Sequence, residues 1–474
     1  FDNQGKRLLI KRKNVNQIVI YNSSASRKII YAVADTYDKQ NSNKYVMSCA
    51  GSNIEYDNAV FNAQVVCGCF QGYQKNPINI KFIYPKGWLI STALTMSGDN
   101  YSAEDYDHLV DSPVMLGNFT INKFSLHGTD FEVSCYSESE VINASQIAEK
   151  LKPYIDAIFY LLGELPVERY VFIYNFNKEI DEWALEHNYS SYHALKEAPL
   201  NDLLEFIAPV SSHEFCHIIT PLHIRSDVIS NFNFASPTPT MNIWFYEGFV
   251  EWMSKMSIVR GGLISEDEFL ERLGEYYSNY FFLDTTMSLK QSSLTCYTNN
   301  WQWGASYFRG SMLAVIIDIE LLKLTQGKSG LIDVMKDLYK KYRSDKSFPD
   351  TSLIKIIGDI TYPEIQAMLD KYVNGRDELP IDDFMKEVGC EYKRELHTGR
   401  YTGYIRKWYF TQQDSNWIVS ELDVQDSLVM QLGIKEGDKF KKLVYNGEEI
   451  TIVNSHRWIE LKDSAEIGVP FTWV

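Results

Sequence analysis

Apolar positions in the first 140 residues come in short runs rich in β-branched and aromatic side chains, at residues 17–21, 28–33 and 78–84, separated by clusters of Asn, Ser, Gly and Asp. Runs of this length and make-up predict strands, and an all-β domain of sandwich or related type over residues 1–140. From Ile142 the period lengthens: Ile147, Leu151, Ile155, Phe159 and Leu162 recur at helical spacing. That pattern predicts a mainly α-helical region over residues 141–390. After Cys390 the short runs return, and Asn446-Gly447 between two of them marks a tight hairpin. Residues 391–474 therefore read as a second β domain, and the whole chain as a multidomain α+β protein without internal repeats.

At 474 residues with 45% hydrophobic content, the chain is long enough for each region to bury its own core. A formal net charge of −16 excludes nucleic acid or an anionic membrane surface as the main partner, because both require basic patches. The apolar stretch over residues 312–322 is interrupted by Asp318 and Glu320, so no transmembrane segment is expected. The seven cysteines are scattered, with Cys67 and Cys69 the close pair. On a strand these two would share a face, but no second pair accompanies them, so they read as ordinary thiols rather than a structural zinc site.

The chemistry concentrates in His213-Glu214-Phe215-Cys216-His217, preceded by the apolar-periodic Leu203, Leu204, Ile207 and Val210. Side chains four apart on a helix project from one face, so both imidazoles can reach one cation, with Glu214 beside it to work on a water molecule. Cys216 points away from both histidines and is expected in the core. A catalytic zinc ion needs a third protein ligand and an open position. Glu247 and Glu251, four apart in an aromatic segment, can supply it, one ligating and the other holding an imidazole. Spacing alone leaves their division of labour open. His187 and His223 also lie near these motifs and read as hydrogen-bonded or solvent-facing histidines, and residues 221–240 as a long loop lining a cleft.

These motifs resemble the glycyl aminopeptidase family of gluzincin zinc metallopeptidases, whose order is a β-rich N-terminal domain, a thermolysin-like catalytic domain and a C-terminal PDZ domain. The resemblance implies one Zn2+ per chain, with His213, His217 and Glu247 as ligands and Glu251 behind them. Trp183-Ala184-Leu185-Glu186-His187 resembles the family's Gly-Gly-Leu-Glu-His segment, which makes Glu186 the residue that binds a substrate's free amine; both glycines are replaced here. Tyr307-Phe308-Arg309-Gly310 resembles the segment whose tyrosine stabilises an oxyanion. The runs Leu432-Gly433-Ile434 and Tyr445-Asn446-Gly447 resemble a PDZ domain, implying a peptide or protein ligand there.

Taken together, the expected function is hydrolysis of peptide bonds by metal-activated water, with Glu214 as base, Tyr307 as oxyanion donor and peptides with a free N-terminus as substrates. An endopeptidase, or an inactive peptide-binding protein, is the alternative. The first residue is Phe1 rather than Met, which with the bacterial character of the family points to a removed leader and an exported protein, without excluding the cytoplasm.

Overall fold

In a computed structural model that describes residues 1–2, 4–22, 28–37, 50–178, 183–234, 236–280, 283, 286–299, 301–343, 346–391, 408–413, 416–422, 433–451 and 471–474, the N-terminal runs form short antiparallel strands. β1 (Ile10–Arg12) and β2 (Ile18–Ile20) pair as a hairpin. β3 (Ser52–Ile54), β4 (Asn58–Phe61), β6 (Leu89–Thr92) and β9 (Val114–Gly117) form a sheet in the order β3-β4-β9-β6. A third sheet joins β5 (Ile78–Ile80), β7 (Thr95–Ser97) and β8 (Asn100–Ala103), beside the short helices α1 (Ala63–Val66) and α2 (Tyr106–Val110). Residues 28–33, expected as a strand, have no regular structure. Cys67 caps α1 and Cys69 follows in irregular chain, so their shared strand face does not exist.

A five-stranded sheet spans the boundary between the β region and the region read as helical, and three of its strands lie within the latter. β10 (Thr120–Leu126), β11 (Thr129–Ser137), β12 (Arg169–Asn177), β13 (Trp183–Glu186) and β14 (Ser190–Lys196) assemble in the order β10-β11-β12-β14-β13. The pairs β11–β12 and β12–β14 are parallel. Parallel strands are buried on both faces and lose the alternation that marks a strand, which is why 169–177 and 190–196 escaped the sequence reading. One face of β12 carries Val171 and Ile173, packed with Val60, Met115, Tyr192 and Ala194. The other carries Tyr170 and Phe172, whose rings meet Phe215 at 4.8 and 5.9 Å.

The helical expectation holds over α3 (Ala144–Leu162), which buries Ile147, Leu151, Ile155 and Leu162. Asn143 and Gln146 form its capping box, and Gly163 ends it at φ 84°. Then follow α4 (Leu200–Cys216), α5 (Asp227–Ser230), α6 (Ile243–Arg260), α7 (Glu266–Tyr280), α8 (Leu289–Thr295), α9 (Trp301–Gly304), a π-helical turn Ala305–Arg309, and α10 (Gly310–Leu324). Helices α11 (Leu331–Tyr342), α12 (Leu353–Ile360), α13 (Pro363–Leu369) and α14 (Ile381–Glu387) complete this unit, Phe1–Val388. No helix among the described residues is long and apolar enough to cross a membrane.

The second unit is Gly389–Val474. There β15 (Trp408–Gln413) pairs with β16 (Asn416–Leu422), which pairs with β17 (Lys439–Phe440). β18 (Leu443–Tyr445) pairs with both β19 (Glu448–Ile450) and β20 (Phe471–Trp473). Asn446 and Gly447 turn the chain at φ 48° and 80°, the two positive values that such a hairpin needs. Leu432 and residues 423–430 lie outside the described residues.

Helix α6 is buried on all sides from Ile243 to Ser254. It crosses α10 at the level of the backbone: a Cβ on Gly248 would lie 2.4 Å from the carbonyl carbon of Gly310, and one on Gly310 would lie 2.6 Å from the Trp244 carbonyl oxygen. We expect Gly310→Ala to force the two helices apart and lower stability by about 1–3 kcal/mol, as overpacked cores do. The midpoint of urea unfolding measures it, and an unchanged midpoint would remove the close crossing from this account.

Candidate metal centre

Helix α4 delivers the His-Glu-x-x-His motif at its C-terminal end, with His213 and Glu214 in the last turn and His217 as the first residue beyond it, still in helical conformation at φ −62° and ψ −15°. Both histidines and Glu214 are buried, and Cys216 is fully buried, as its position in the motif implies. The Nδ1 of His213 lies 2.7 Å from Oε2 of Glu251, and the Nδ1 of His217 lies 2.9 Å from the carbonyl oxygen of Thr220. Carbonyl and carboxylate oxygens only accept, so each Nδ1 carries the proton. In the neutral imidazole each Nε2 then offers a lone pair, the form in which a histidine ligates a metal.

Those two Nε2 atoms face each other across 3.1 Å. Oε2 of Glu247 stands 3.3 Å from Nε2 of His213 and 3.7 Å from that of His217. Three such donor atoms converging in a buried space are held together by a shared proton or by a metal ion among them. A tetrahedral zinc site with bonds of about 2.0–2.1 Å has edges of roughly 3.3–3.4 Å between its ligand atoms, so the donor set fits such an ion in both chemistry and spacing.

Glu247 and Glu251 come from α6 and are each only 8% exposed, which rules out a pair of solvated glutamates. The structure also separates their positions: Glu247 faces both Nε2 atoms, while Glu251 lies behind His213. Lys255 and Tyr276 bond to the other oxygen of Glu251. Tyr307 lies in the π-helical turn, its ring 5.6 Å from that of His213. Burial and the neighbouring carboxylates push its phenol well above the usual range, so the hydroxyl keeps its proton. Such turns often mark functional sites, because the extra residue re-aims a side chain.

Glu186 ends the edge strand β13, half-buried, and converges with Glu214 and His217, their polar atoms within 4.8 Å of one another. Burial raises the Glu214 carboxyl, with His213 opposing; burial also raises Glu186, with His217 opposing. Trp183, where the family has glycine, packs on Tyr192 at the opposite face of β13, so its indole stays clear of Glu186. Ala184, two residues from Glu186, shares its face.

His187 bonds through Nδ1 to Asp111 at 2.9 Å, and His223 through Nδ1 to the Ile218 carbonyl at 2.5 Å. Both are the hydrogen-bonded histidines expected. Asp111, Thr220, Lys255 and Tyr276 were not anticipated. Lys255 had a signal, since it stands four residues beyond Glu251 on one helical face; Thr220 is local too, three residues beyond His217, whereas Asp111 and Tyr276 come from elsewhere in the chain. Thr240 and Asn242, at the end of the loop before α6, bond to Asp350.

Comparison with known proteins places these residues in context. Residues 1–118 match the peptidase M61 N-terminal domain, and residues 207–313 match the M61 glycyl aminopeptidase domain. The second match spans His213, Glu214, His217, Glu247, Glu251 and Tyr307. An aminopeptidase N family protein from Idiomarina loihiensis shares the fold, with a TM-score of 0.73 over 89% of this chain and 80% of that one, at 17% identity. An M1 zinc metallopeptidase from Deinococcus radiodurans aligns over 70% of this chain and 73% of its own, at 12% identity and a TM-score of 0.48. No curated protein matches the sequence. Two stretches of the chain thus match M61 peptidase domains, and its fold is similar to that of the Idiomarina loihiensis protein.

We expect the metal-free protein to take up one zinc ion per chain. His213→Ala, His217→Ala and Glu247→Ala should each abolish uptake, whereas Glu251→Ala should weaken it by roughly 10- to 100-fold. Metal analysis after dialysis decides it; a Glu251→Ala protein without zinc beside a zinc-loaded Glu247→Ala protein would exchange the two glutamates.

Proposed function

We propose that this protein is a zinc-dependent aminopeptidase that hydrolyses the N-terminal peptide bond of substrates with a free amine. The observation that carries the reading is the convergence of the two histidine Nε2 atoms, 3.1 Å apart, on Glu247, a donor set with the spacing of a zinc site. Zinc held by His213, His217 and Glu247 would supply Lewis acidity toward the scissile carbonyl and a lowered pKa for the attacking water.

The chain's own residues perform the remaining work. Glu214 takes the proton of the attacking water and passes it to the leaving amine. Its burial favours both steps, since a carboxyl raised toward neutrality gives a proton back as readily as it accepts one. Tyr307 keeps its proton and donates a hydrogen bond to the carbonyl oxygen as negative charge grows there. Glu186 accepts from the substrate's α-ammonium, a charge-assisted contact that fixes how many residues lie before the cleaved bond. Its nearness to Glu214 supports cleavage after the first residue. For the C-terminal unit, we propose a PDZ-like domain that takes a peptide ligand, supported by the hairpin at Asn446 and Gly447.

Glu214→Gln should retain zinc and fold normally, yet lose about 10²- to 10⁴-fold in turnover of amino-acyl chromogenic amides. Tyr307→Phe should lower kcat at nearly unchanged KM. A zinc-loaded Glu214→Gln enzyme with near-wild-type turnover would remove this site as the catalytic centre.

Glu186→Gln separates an aminopeptidase from an endopeptidase. It should impair cleavage of free-amine substrates far more than that of their N-acetylated counterparts. Equal losses on both would favour the endopeptidase.

A further inference from the structure

Glu251 is the buried carboxylate through which the rest of the protein grips His213, and its two oxygens have different duties. Oε2 accepts the Nδ1–H of His213 at 2.7 Å. Oε1 accepts from two donors on different helices, the ammonium of Lys255 one turn further along α6 and the hydroxyl of Tyr276 on α7. We propose that Lys255 and Tyr276 are positioning residues of the metal centre, which pin Glu251 in the one orientation that holds the His213 imidazole and thereby set how tightly the centre keeps its ion. The inference rests on the metal-centre reading above.

A carboxylate can rotate about its last carbon–carbon bond unless both oxygens are engaged. With Oε1 held by two donors that are themselves fixed, rotation of Glu251 would break three hydrogen bonds at once. The two donors also brace each other: the Lys255 ammonium sits over the Tyr276 ring, 4.0 Å from its centre. The Tyr276 ring in turn packs edge-on against Phe308 at 5.0 Å, and Phe308 follows Tyr307 in the π-helical turn. One cluster therefore touches both the residue behind the ligand and the turn that presents the catalytic hydroxyl.

An ordinary i,i+4 ion pair on a helix surface contributes only a few tenths of a kcal/mol and affects nothing beyond itself. Here the Glu251 and Lys255 side chains are 10% and 19% exposed, and removing the cation leaves a carboxylate buried without its counter-charge. Partners behind a ligating histidine fix its tautomer and ring orientation, and their loss typically weakens the metal by about 10- to 100-fold.

The test is zinc affinity of the metal-free full chain, measured by competition with a chromogenic chelator, so that no catalytic readout is needed. Lys255→Met should weaken zinc binding by about tenfold and Tyr276→Phe by roughly threefold, while Lys255→Arg, which keeps the charge and donors, should stay within about threefold of wild type. In a Glu251→Gln background, Lys255→Met should change affinity by less than about twofold, because it acts through that carboxylate. Tyr276→Phe preserves the ring and its packing, and so serves even if Lys255→Met does not fold, which circular dichroism checks. Wild-type affinity in both Lys255→Met and Tyr276→Phe overturns the proposal, as does an undiminished Lys255→Met effect in the Glu251→Gln protein. A wild-type chain that takes up no zinc would instead overturn the metal-centre reading on which it stands.

Discussion

The approach of two glycines, Gly248 and Gly310, is the constraint on which the site depends. Helices ordinarily pack about 8–10 Å apart, with side chains between them. Where α6 meets α10 no side chain intervenes: any Cβ at either glycine would overlap the other helix's backbone. Each glycine adjoins a functional segment. Gly248 follows Glu247, and Gly310 follows the π-helical turn that carries Tyr307. The contact that brings the backbones together therefore also sets the distance between the Glu247 carboxylate and the Tyr307 hydroxyl.

Around that crossing, the protein arranges polar groups that would be costly to bury singly. Two imidazoles, four glutamates and two phenols occupy one interior region, and each imidazole Nδ1 has a named acceptor. What distinguishes the His213 side of the site from the His217 side is the acceptor. A backbone carbonyl serves His217 and is fixed by the chain, whereas His213 depends on a side chain that must itself be held. Extra donors therefore gather behind Glu251 rather than behind Thr220.

Much of the site was legible because its signals are local. The His-Glu-x-x-His spacing and the Glu247–Glu251 spacing each follow from a single helical turn, and the turn at Asn446-Gly447 follows from two residues that tolerate positive φ. What escaped depends on distance in sequence. Asp111 meets His187 across 76 positions, and Tyr276 meets Glu251 from another helix. The parallel strands β12 and β14 failed for a different reason, since burial on both faces erases the alternation that would reveal them. Spacing also left Glu247 and Glu251 interchangeable, and only the orientation of the His213 ring separates them.

The five-stranded sheet bears on how far the parts of this chain are modular. Its strands β10 and β11 come from the region that composition assigns to the N-terminal domain, yet β11 lies in register beside β12 from Asp130–Arg169 to Ser137–Phe176. Phe131 on β11 packs against Phe215 of α4, the helix that ends in the His-Glu-x-x-His motif, 5.7 Å between ring centres. Glu132, its neighbour on the other face, accepts from Ser91 and pairs with Lys123 and Arg169. A cut near residue 140 would thus run through a hydrogen-bonded sheet and expose the aromatic floor beneath the active helix. The helical region is therefore not a cassette that could be exchanged whole between proteins at that boundary; its smallest autonomous form must reach back at least to Thr120.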